Sequence, residues 1–547
     1  MARGGLTPKQ QQEQIVLMFV GLALTAVGIA AIMAWTCAVA AGWVHTGHVP
    51  RLSMADAVKA AVSDDLWSSD PAAAYPSAVR RLLPGGWGFW STAGLVLALV
   101  SAIVVAIGRE IWRRMAQTVT DRRWYHLFRG RRPQTFGRYR TVKDSLVVDA
   151  PQPDRLIVGT FASPPALVAV RDHAQVCAIA APHSGTTSGL IVPAVLDHAG
   201  PVVTTAAKSD VVYATLQRRA SMGETFVWDP FGEHTDSWDP LHGCEDWGHA
   251  LVVSRWLGHA LAFGENETTE YYDEAGQELA APLLHAAALT ASRTIVDVYG
   301  WLRDRDVQTP AAILAEAGAD DARRRLEAVY GLHPKRKDAV VAAIQMQLKA
   351  YGHPAVARTA KRGRGITPEM FFDGRANTVY IVAGREHQRL LAPLAVTMLS
   401  SLIYYATEME GLGRRISPPA LFALDDTAQI VPLQELPQIL TIAHEIGIRL
   451  VTVWHSLAQI RQRFGPDAAA EIMALSQAKV FLGSITDDGT RDELLRLLGN
   501  PRDAATAQAL QRLHAGQGLL IHSSQPPLFF TQRRGTVENT PLAVGAR

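Results

Sequence analysis

The sequence predicts an α/β fold: a mostly parallel sheet covered by helices, interrupted by an all-helical segment and preceded by two transmembrane helices. Three observations predict it. Short apolar runs of strand length alternate with helical spacing over 145–245 and again over 375–531. Between them, 246–374 is rich in Ala, Leu, Glu and Arg at helical spacing, with scarcely a strand candidate. Ahead of all this, 15–41 and 85–108 contain no charged residue, and each is longer than the roughly 20 residues a helix needs to cross hydrocarbon.

The N-terminal part reads as a membrane anchor. A short N-terminus (1–14) precedes the first span, with Trp35 and Trp43 placed to sit near one interface. A loop (42–84) shows apolar helical spacing around 55–66 and then a Ser/Pro/Ala-rich stretch, too small for an enzyme. It reads as a contact site for another envelope protein or as a plain connector. Trp87 and Trp90 open the second span, and the basic linker 109–144 follows with ten arginines between 109 and 140. The loop between the spans has fewer positive charges, balanced by Asp56, Asp64, Asp65 and Asp70. Basic residues stay on the cytoplasmic side, so both the N-terminus and the large C-terminal part are expected in the cytosol. The arginines would fix topology and meet anionic headgroups.

With 547 residues, 48% of them apolar, the chain can supply two or three domains. Its net charge of +2 identifies no partner. Cys37, Cys177 and Cys244 are far apart, which excludes a disulfide framework or zinc spacing.

In the first α/β part (145–245), strands are expected at 145–148, 156–158, 166–170, 176–180, 201–205 and 225–228. The run at 176–180 leads into Ala181-Pro182-His183-Ser184-Gly185-Thr186-Thr187-Ser188, and a helix is expected over 189–198. Strand, small-residue turn and helix are the parts of a phosphate-binding loop. Of the template G-x-x-x-x-G-K-[ST], Gly185 and Thr187 match, and Thr186 stands where the lysine belongs. Gly185 would let backbone N–H groups turn toward a phosphate at the positive end of the helix, and Thr187 would offer its hydroxyl to Mg²⁺. Ser184, Thr186 and Ser188 complete the candidate loop.

The insertion (246–374) shows helical spacing over 281–291, 309–317, 321–329 and 337–350. It is polar enough to pack as a lid or a separate lobe. Its basic groups, Lys335-Arg336-Lys337 and Lys361-Arg362-Gly363-Arg364, suit either phosphates or a solvated surface.

Strands resume at 377–382, with a helix over 389–408. Ala420-Leu421-Phe422-Ala423-Leu424 then ends in Asp425-Asp426, a buried strand delivering two acids to a sheet edge. In phosphoryl transfer the first acid holds Mg²⁺ and the second polarises the attacking water. The competing reading has both acids merely capping the next helix. A further strand over 448–454 ends at His455, placed to sense a terminal phosphate or to play a structural part. Strands at 478–483 and 518–522 close the sheet, and the tail 532–547 looks irregular.

In this order the stretches resemble the type IV secretion coupling proteins, the VirD4/TraG/TraD family of conjugative DNA-transfer ATPases, of the actinobacterial type. The resemblance rests on the loop at 184–193, Lys208-Ser209-Asp210, Trp228-Asp229-Pro230-Phe231-Gly232, Trp238-Asp239-Pro240-Leu241 and Ala281-Pro282-Leu283-Leu284-His285. Later matches are Leu424-Asp425-Asp426 and His455-Ser456. It implies a RecA-like P-loop domain with ATP and Mg²⁺ as cofactors, assembled as a homo-hexamer at the inner membrane. The implied partners are secretion-channel proteins and relaxosome DNA with its relaxase, or an effector protein.

The departures fall in the chemistry: Thr186 for the family's lysine, Asp426 for its usual glutamate, His455 for its usual glutamine. Two readings follow. The site binds nucleotide and hydrolyses it weakly or not at all, or another cation substitutes, for which Lys208 is the nominee. An active ATP-driven translocase of the FtsK/HerA type and a non-enzymatic scaffold paralogue are the alternatives. The helical insertion argues against a septal translocase.

Overall fold

The computed structural model describes residues 28, 30–96, 98, 101, 136–137, 139–152, 155–161, 164–171, 174–259, 267–363, 365–499, 504–523 and 525–533. The chain divides into two compact units, Met1–Val119 and Thr120–Arg547.

In the first unit, helix Ala30–Thr46 is followed by helix Met54–Val62, two single 3₁₀ turns, helix Ser77–Arg80 and a helix over 86–96. Ser53 caps the second helix, its hydroxyl accepting from the Asp56 N–H. Ala34, Cys37, Ala38 and Ala41 pack with Leu66, Tyr75, Val79 and Phe89 in a small core. The Tyr75 hydroxyl donates to the Ala34 carbonyl at 2.9 Å, tying the loop to the first helix. Much of both charge-free runs, 15–27 and 102–108 included, lies outside the described residues. Among the described residues one helix, Gln388–Gly411, is long and apolar enough to cross a membrane, and most of it is buried in the core of the second unit.

The second unit is built on a twelve-stranded sheet. In chain order its strands are β1 (Val147–Val148), β2 (Arg155–Phe161), β3 (Ala166–Arg171), β4 (Val176–Ala180), β5 (Val202–Ala206) and β6 (Thr225–Trp228). The rest are β7 (Thr378–Val382), β8 (Ala420–Leu424), β9 (Ile448–Trp454), β10 (Ala478–Leu482), β11 (Gln517–His522) and β12 (Leu528–Thr531). They lie in the order β1-β3-β2-β12-β11-β10-β4-β9-β8-β5-β7-β6. From β10 to β6 every pairing is parallel, and from β1 to β10 every pairing is antiparallel. The patterns differ accordingly. Every residue of β4, β5, β7, β8 and β9 is buried, as strands covered on both faces require, whereas β12 alternates buried and half-buried positions.

One face is covered by helices within 187–220, whose Leu190, Val195 and Val211 meet Ala178, Leu421 and Val453. The other shares a single hydrophobic cluster with the helices between β6 and β7: Leu284, Val298, Leu326 and Ile344 belong with Val203 and Phe422. Those helices include Trp247–His259, Glu267–Ala288, Ile295–Asp304, Asp320–Tyr330 and Pro334–Gln347.

Three local expectations change. Of the strand expected at 145–148, Val147–Val148 form β1, while Ser145 and Leu146 end helix Tyr139–Leu146, because Val142 and Leu146, four apart, both reach the core. β12 had no expectation; four residues after a Pro-Pro pair are too short to signal, and β11 supplies their pairing. The loop helix begins at Thr187, two residues early, with a wide turn in which the Val192 N–H bonds the Thr187 carbonyl. Pro193 follows and can donate no helical hydrogen bond, which favours such a turn.

Arg219 fastens the second half of the sheet to the first. Its guanidinium is fully buried and has no carboxylate partner among the described residues. Instead it donates to the carbonyls of His198 (2.5 Å), Gly200 (2.7 Å) and Ala376 (2.9 Å), and to the Thr378 hydroxyl (2.7 Å). Burial pushes its pKa down to about 10, so it stays charged at neutral pH. Arg219→Ala would strand three carbonyls in the interior, at a cost of about 3 kcal/mol or more. Thermal unfolding of the purified chain should show the midpoint drop by several degrees, and Arg219→Lys should recover only part of it.

Candidate functional site

Parallel pairing carries the carboxyl ends of β4, β9, β8, β5 and β7 to one edge, so residues distant in sequence open on the same side. β4 delivers the loop. His183 (φ 64°) and Gly185 (φ +81°) both take left-handed backbone. At Gly185 a side chain would be strained, and a Cβ there would lie 3.0 Å from the Gln532 Oε1. The Ser184 hydroxyl is turned inward and donates to the Ala181 carbonyl at 2.6 Å. Ser184 therefore shapes the loop and does not line the cavity.

Thr187 opens the following helix, and its hydroxyl donates to Asp425 Oδ2 at 2.6 Å, bridging the loop and the end of β8. The turn after β8 is held from three sides. The Thr205 hydroxyl donates to the Asp425 carbonyl (2.6 Å), the Thr427 hydroxyl donates to the Leu424 carbonyl (2.7 Å), and the Val453 N–H donates to Thr427 (3.1 Å). Asp426 is thereby set on left-handed backbone (φ 47°, ψ 41°), which aspartate tolerates better than most side chains.

β9 lies between β4 and β8, with Ile179 opposite Trp454 and Leu424 opposite Thr452. His455, the next residue, therefore stands between loop and acids, and its Nε2 is 3.0 Å from Asp426 Oδ1. The hydrogen bond from His455 holds the Asp426 carboxyl below the usual range, while Asp426 raises the imidazole pKa. Asp425 moves the other way. Desolvation raises its pKa, and the Thr187 hydroxyl offsets part of that rise.

These groups line a cavity of about 650 Å³, within the range of small-molecule sites. Gly185, Thr186, Thr187, Ser188, Lys208, Asp425, Asp426 and His455 all face it. Of the sequence-derived candidates only Ser184 is set back. Arg385, Gln388, Gln429, Asp210 and His183 also line it, and sequence reasoning missed them. The signal for Arg385 and Gln388 was available: they follow a buried strand, and the carboxyl end of a parallel strand is where such side chains collect.

The donors suit a hard cation. Thr187 and Asp425 offer oxygen only, and Mg²⁺ takes few protein ligands beside water and phosphate oxygens. Among the described residues no cluster of three or more His, Cys, Asp or Glu could hold a metal alone.

A family model described as type IV secretory system conjugative DNA transfer matches residues 134–513. Among solved structures, the fold is similar to that of the bacterial conjugative coupling protein TrwBΔN70 in its unbound form. That match has a TM-score of 0.54 at 14% identity and covers 71% of this chain and 92% of that one. TrwB in complex with the non-hydrolysable ATP analogue ADPNP gives 0.55 at 15%, covering 71% and 93%. TrwB in complex with ADP and Mg²⁺ gives 0.54 at 15%, covering 71% and 94%. No curated protein matches the sequence. The matched span takes in the phosphate loop, the helical insertion and the paired acids alike, and the chain belongs to the type IV secretory system conjugative DNA-transfer family.

Proposed function

We propose that the protein is a membrane-anchored coupling protein that recruits DNA, or a nucleoprotein or effector protein, to a type IV secretion channel. In this reading it binds ATP with Mg²⁺ and hydrolyses it weakly or not at all. The observation that carries the reading is the Thr187–Asp425 contact, which joins loop and acid where a metal and a phosphate would meet. Structures of TrwB with ADPNP and with ADP and Mg²⁺ support it by likeness of fold. The charge-free runs at 15–41 and 85–108 and the arginines after them support two spans with 109–547 in the cytosol. The parts at 145–245 and 375–531 form the nucleotide-binding domain, 246–374 its insertion, and the working unit is a homo-hexamer.

Weak hydrolysis follows from two features. Thr186 supplies no charge-assisted bond to the transferring phosphate, and losing one electrostatic stabiliser costs on the order of 10²-fold in rate. Asp426 is committed to His455 and so is a poor partner for water.

For the full chain in detergent, a fluorescent ATP analogue should bind with Mg²⁺ present, while phosphate release stays near background with or without single-stranded DNA. Thr186→Lys should raise release by roughly 10-fold or more. Asp425→Ala should abolish the Mg²⁺ dependence of binding. DNA-stimulated turnover by the unaltered chain would favour the motor reading instead.

The Asp426–His455 pair also has a pH signature. His455 is raised above its ordinary 6.5, so its contribution is complete below about 6.5 and is lost as pH rises through the folded value. Asp426 is depressed below 3.8, so its contribution is lost only as pH falls through that lower value. The melting-temperature gap between the unaltered chain and His455→Ala should be widest from about pH 4 to 6.5 and close toward pH 9. With half the imidazole in solvent, the gap corresponds to less than about 1 kcal/mol.

A further inference from the structure

The turn between β7 and helix Gln388–Gly411 brings Arg385 and Gln388 to the cavity, and neither belongs to the loop, the paired acids or β9. The strand order explains their arrival. β5 pairs with β8 on one side and β7 on the other, so Asp425, Lys208 and Arg385 follow three adjacent carboxyl ends.

Two features set the pair apart. Arg385 is exposed to the cavity mouth and makes no hydrogen bond or ion pair with any described residue. Gln388 is only 8% exposed, and its amide lies beside the Asp426 carboxylate, yet its Nε2 meets no described acceptor in good hydrogen-bond geometry. A buried amide donor whose nearest acceptor is already engaged by His455 is poorly satisfied, so its place in the wall of a cavity points to a better acceptor that arrives there. The electrostatics indicate what kind. Asp210, Asp425 and Asp426 line the cavity, and the loop contributes no cation because Thr186 occupies the lysine position. A triphosphate would meet carboxylates with little to offset them unless a cation outside the loop took part.

Resting on the nucleotide reading above, we propose that Arg385 and Gln388 form a phosphate-binding element that takes the place of the missing loop lysine. The Arg385 guanidinium pairs with the terminal phosphate of a nucleoside triphosphate, and the Gln388 amide donates to an oxygen of the same group. A guanidinium suits the task because its planar fork meets two phosphate oxygens at once, which Lys208 cannot do. The field of Arg385 also reaches Asp426, adding to that of His455 at this end of the cavity.

The test compares ATP with ADP, since the element recognises the phosphate that only ATP carries. In the full chain in detergent with Mg²⁺, Arg385→Ala should weaken a fluorescent ATP analogue by roughly 10- to 100-fold and the ADP analogue by less than about 3-fold. Gln388→Leu should act in the same direction, by roughly 3- to 10-fold. Adding Thr186→Lys to Arg385→Ala should restore the preference for ATP, which distinguishes lost charge from misfolding. Melting temperatures of all variants check the fold. Equal ATP binding by Arg385→Ala and the unaltered chain would overturn this inference alone. So would equal loss of ATP and ADP, a failure of Thr186→Lys to rescue, or Lys208→Ala removing the preference in place of Arg385→Ala. An unaltered chain that binds neither nucleotide would overturn the reading of the site, and this inference with it.

Discussion

A single hydrogen bond, from the Thr187 hydroxyl to Asp425 at 2.6 Å, joins residues 238 positions apart and gives the site its shape. It exists only because β4 and β8 run parallel, with β9 between them and the same carboxyl edge in common. Parallel strands need long crossovers, and one of those here, from β6 to β7, contains the whole helical insertion. That segment shares its core with the sheet face opposite the loop helix. It can therefore be long without disturbing the edge where loop and acids meet.

The three chemical departures look independent in the sequence, but in space two of them are one feature. Asp426 sits on left-handed backbone, and its short carboxylate reaches His455 at 3.0 Å. A glutamate would be less at ease in that conformation. A glutamine at 455 would offer Asp426 a neutral partner where the imidazole offers a cation. Aspartate and histidine together make a locked pair, and the locked pair explains the proposed loss of turnover better than either change alone. The missing lysine is a separate matter, because Thr186 simply lines the cavity without a charge.

Much of this was legible in the order of residues. Continuous apolar runs at 176–180, 420–424 and 448–454 announced fully buried parallel strands, and what followed each had to lie at one edge. This is why Gly185, Thr187, Asp425, Asp426 and His455 could be grouped beforehand. Arg385 and Gln388 escaped because their one mark is that they follow a buried strand, and nothing in Gly384-Arg385-Glu386-His387-Gln388 resembles a motif. That position shows they lie at a strand end, but which site they reach depends on β7 lying two strands from β8, and strand order leaves no mark on a sequence. Ser184 was misplaced for a smaller reason: a serine in a tight turn can face the ligand or its own backbone, and here its hydroxyl found the Ala181 carbonyl. β12 escaped because its partner, not its composition, makes it a strand.

Whether the substituted site is a relic can be argued from what it costs to keep. Desolvation pushes Asp425 toward its protonated form, and a single hydroxyl is the principal hydrogen bond opposing that. An apolar or amide side chain at the end of β8 would avoid the penalty. Asp426 holds a left-handed conformation that costs a non-glycine residue roughly 1 kcal/mol or more. The amide of Gln388 is buried beside Asp426 without a well-formed hydrogen bond, a further penalty that leucine would remove. None of these groups is needed to close the sheet, since the strands around them are already fully buried and paired. Three destabilising choices around one cavity are the pattern expected where a ligand supplies the missing partners. A chain that had kept only the fold would have no physical reason to keep them.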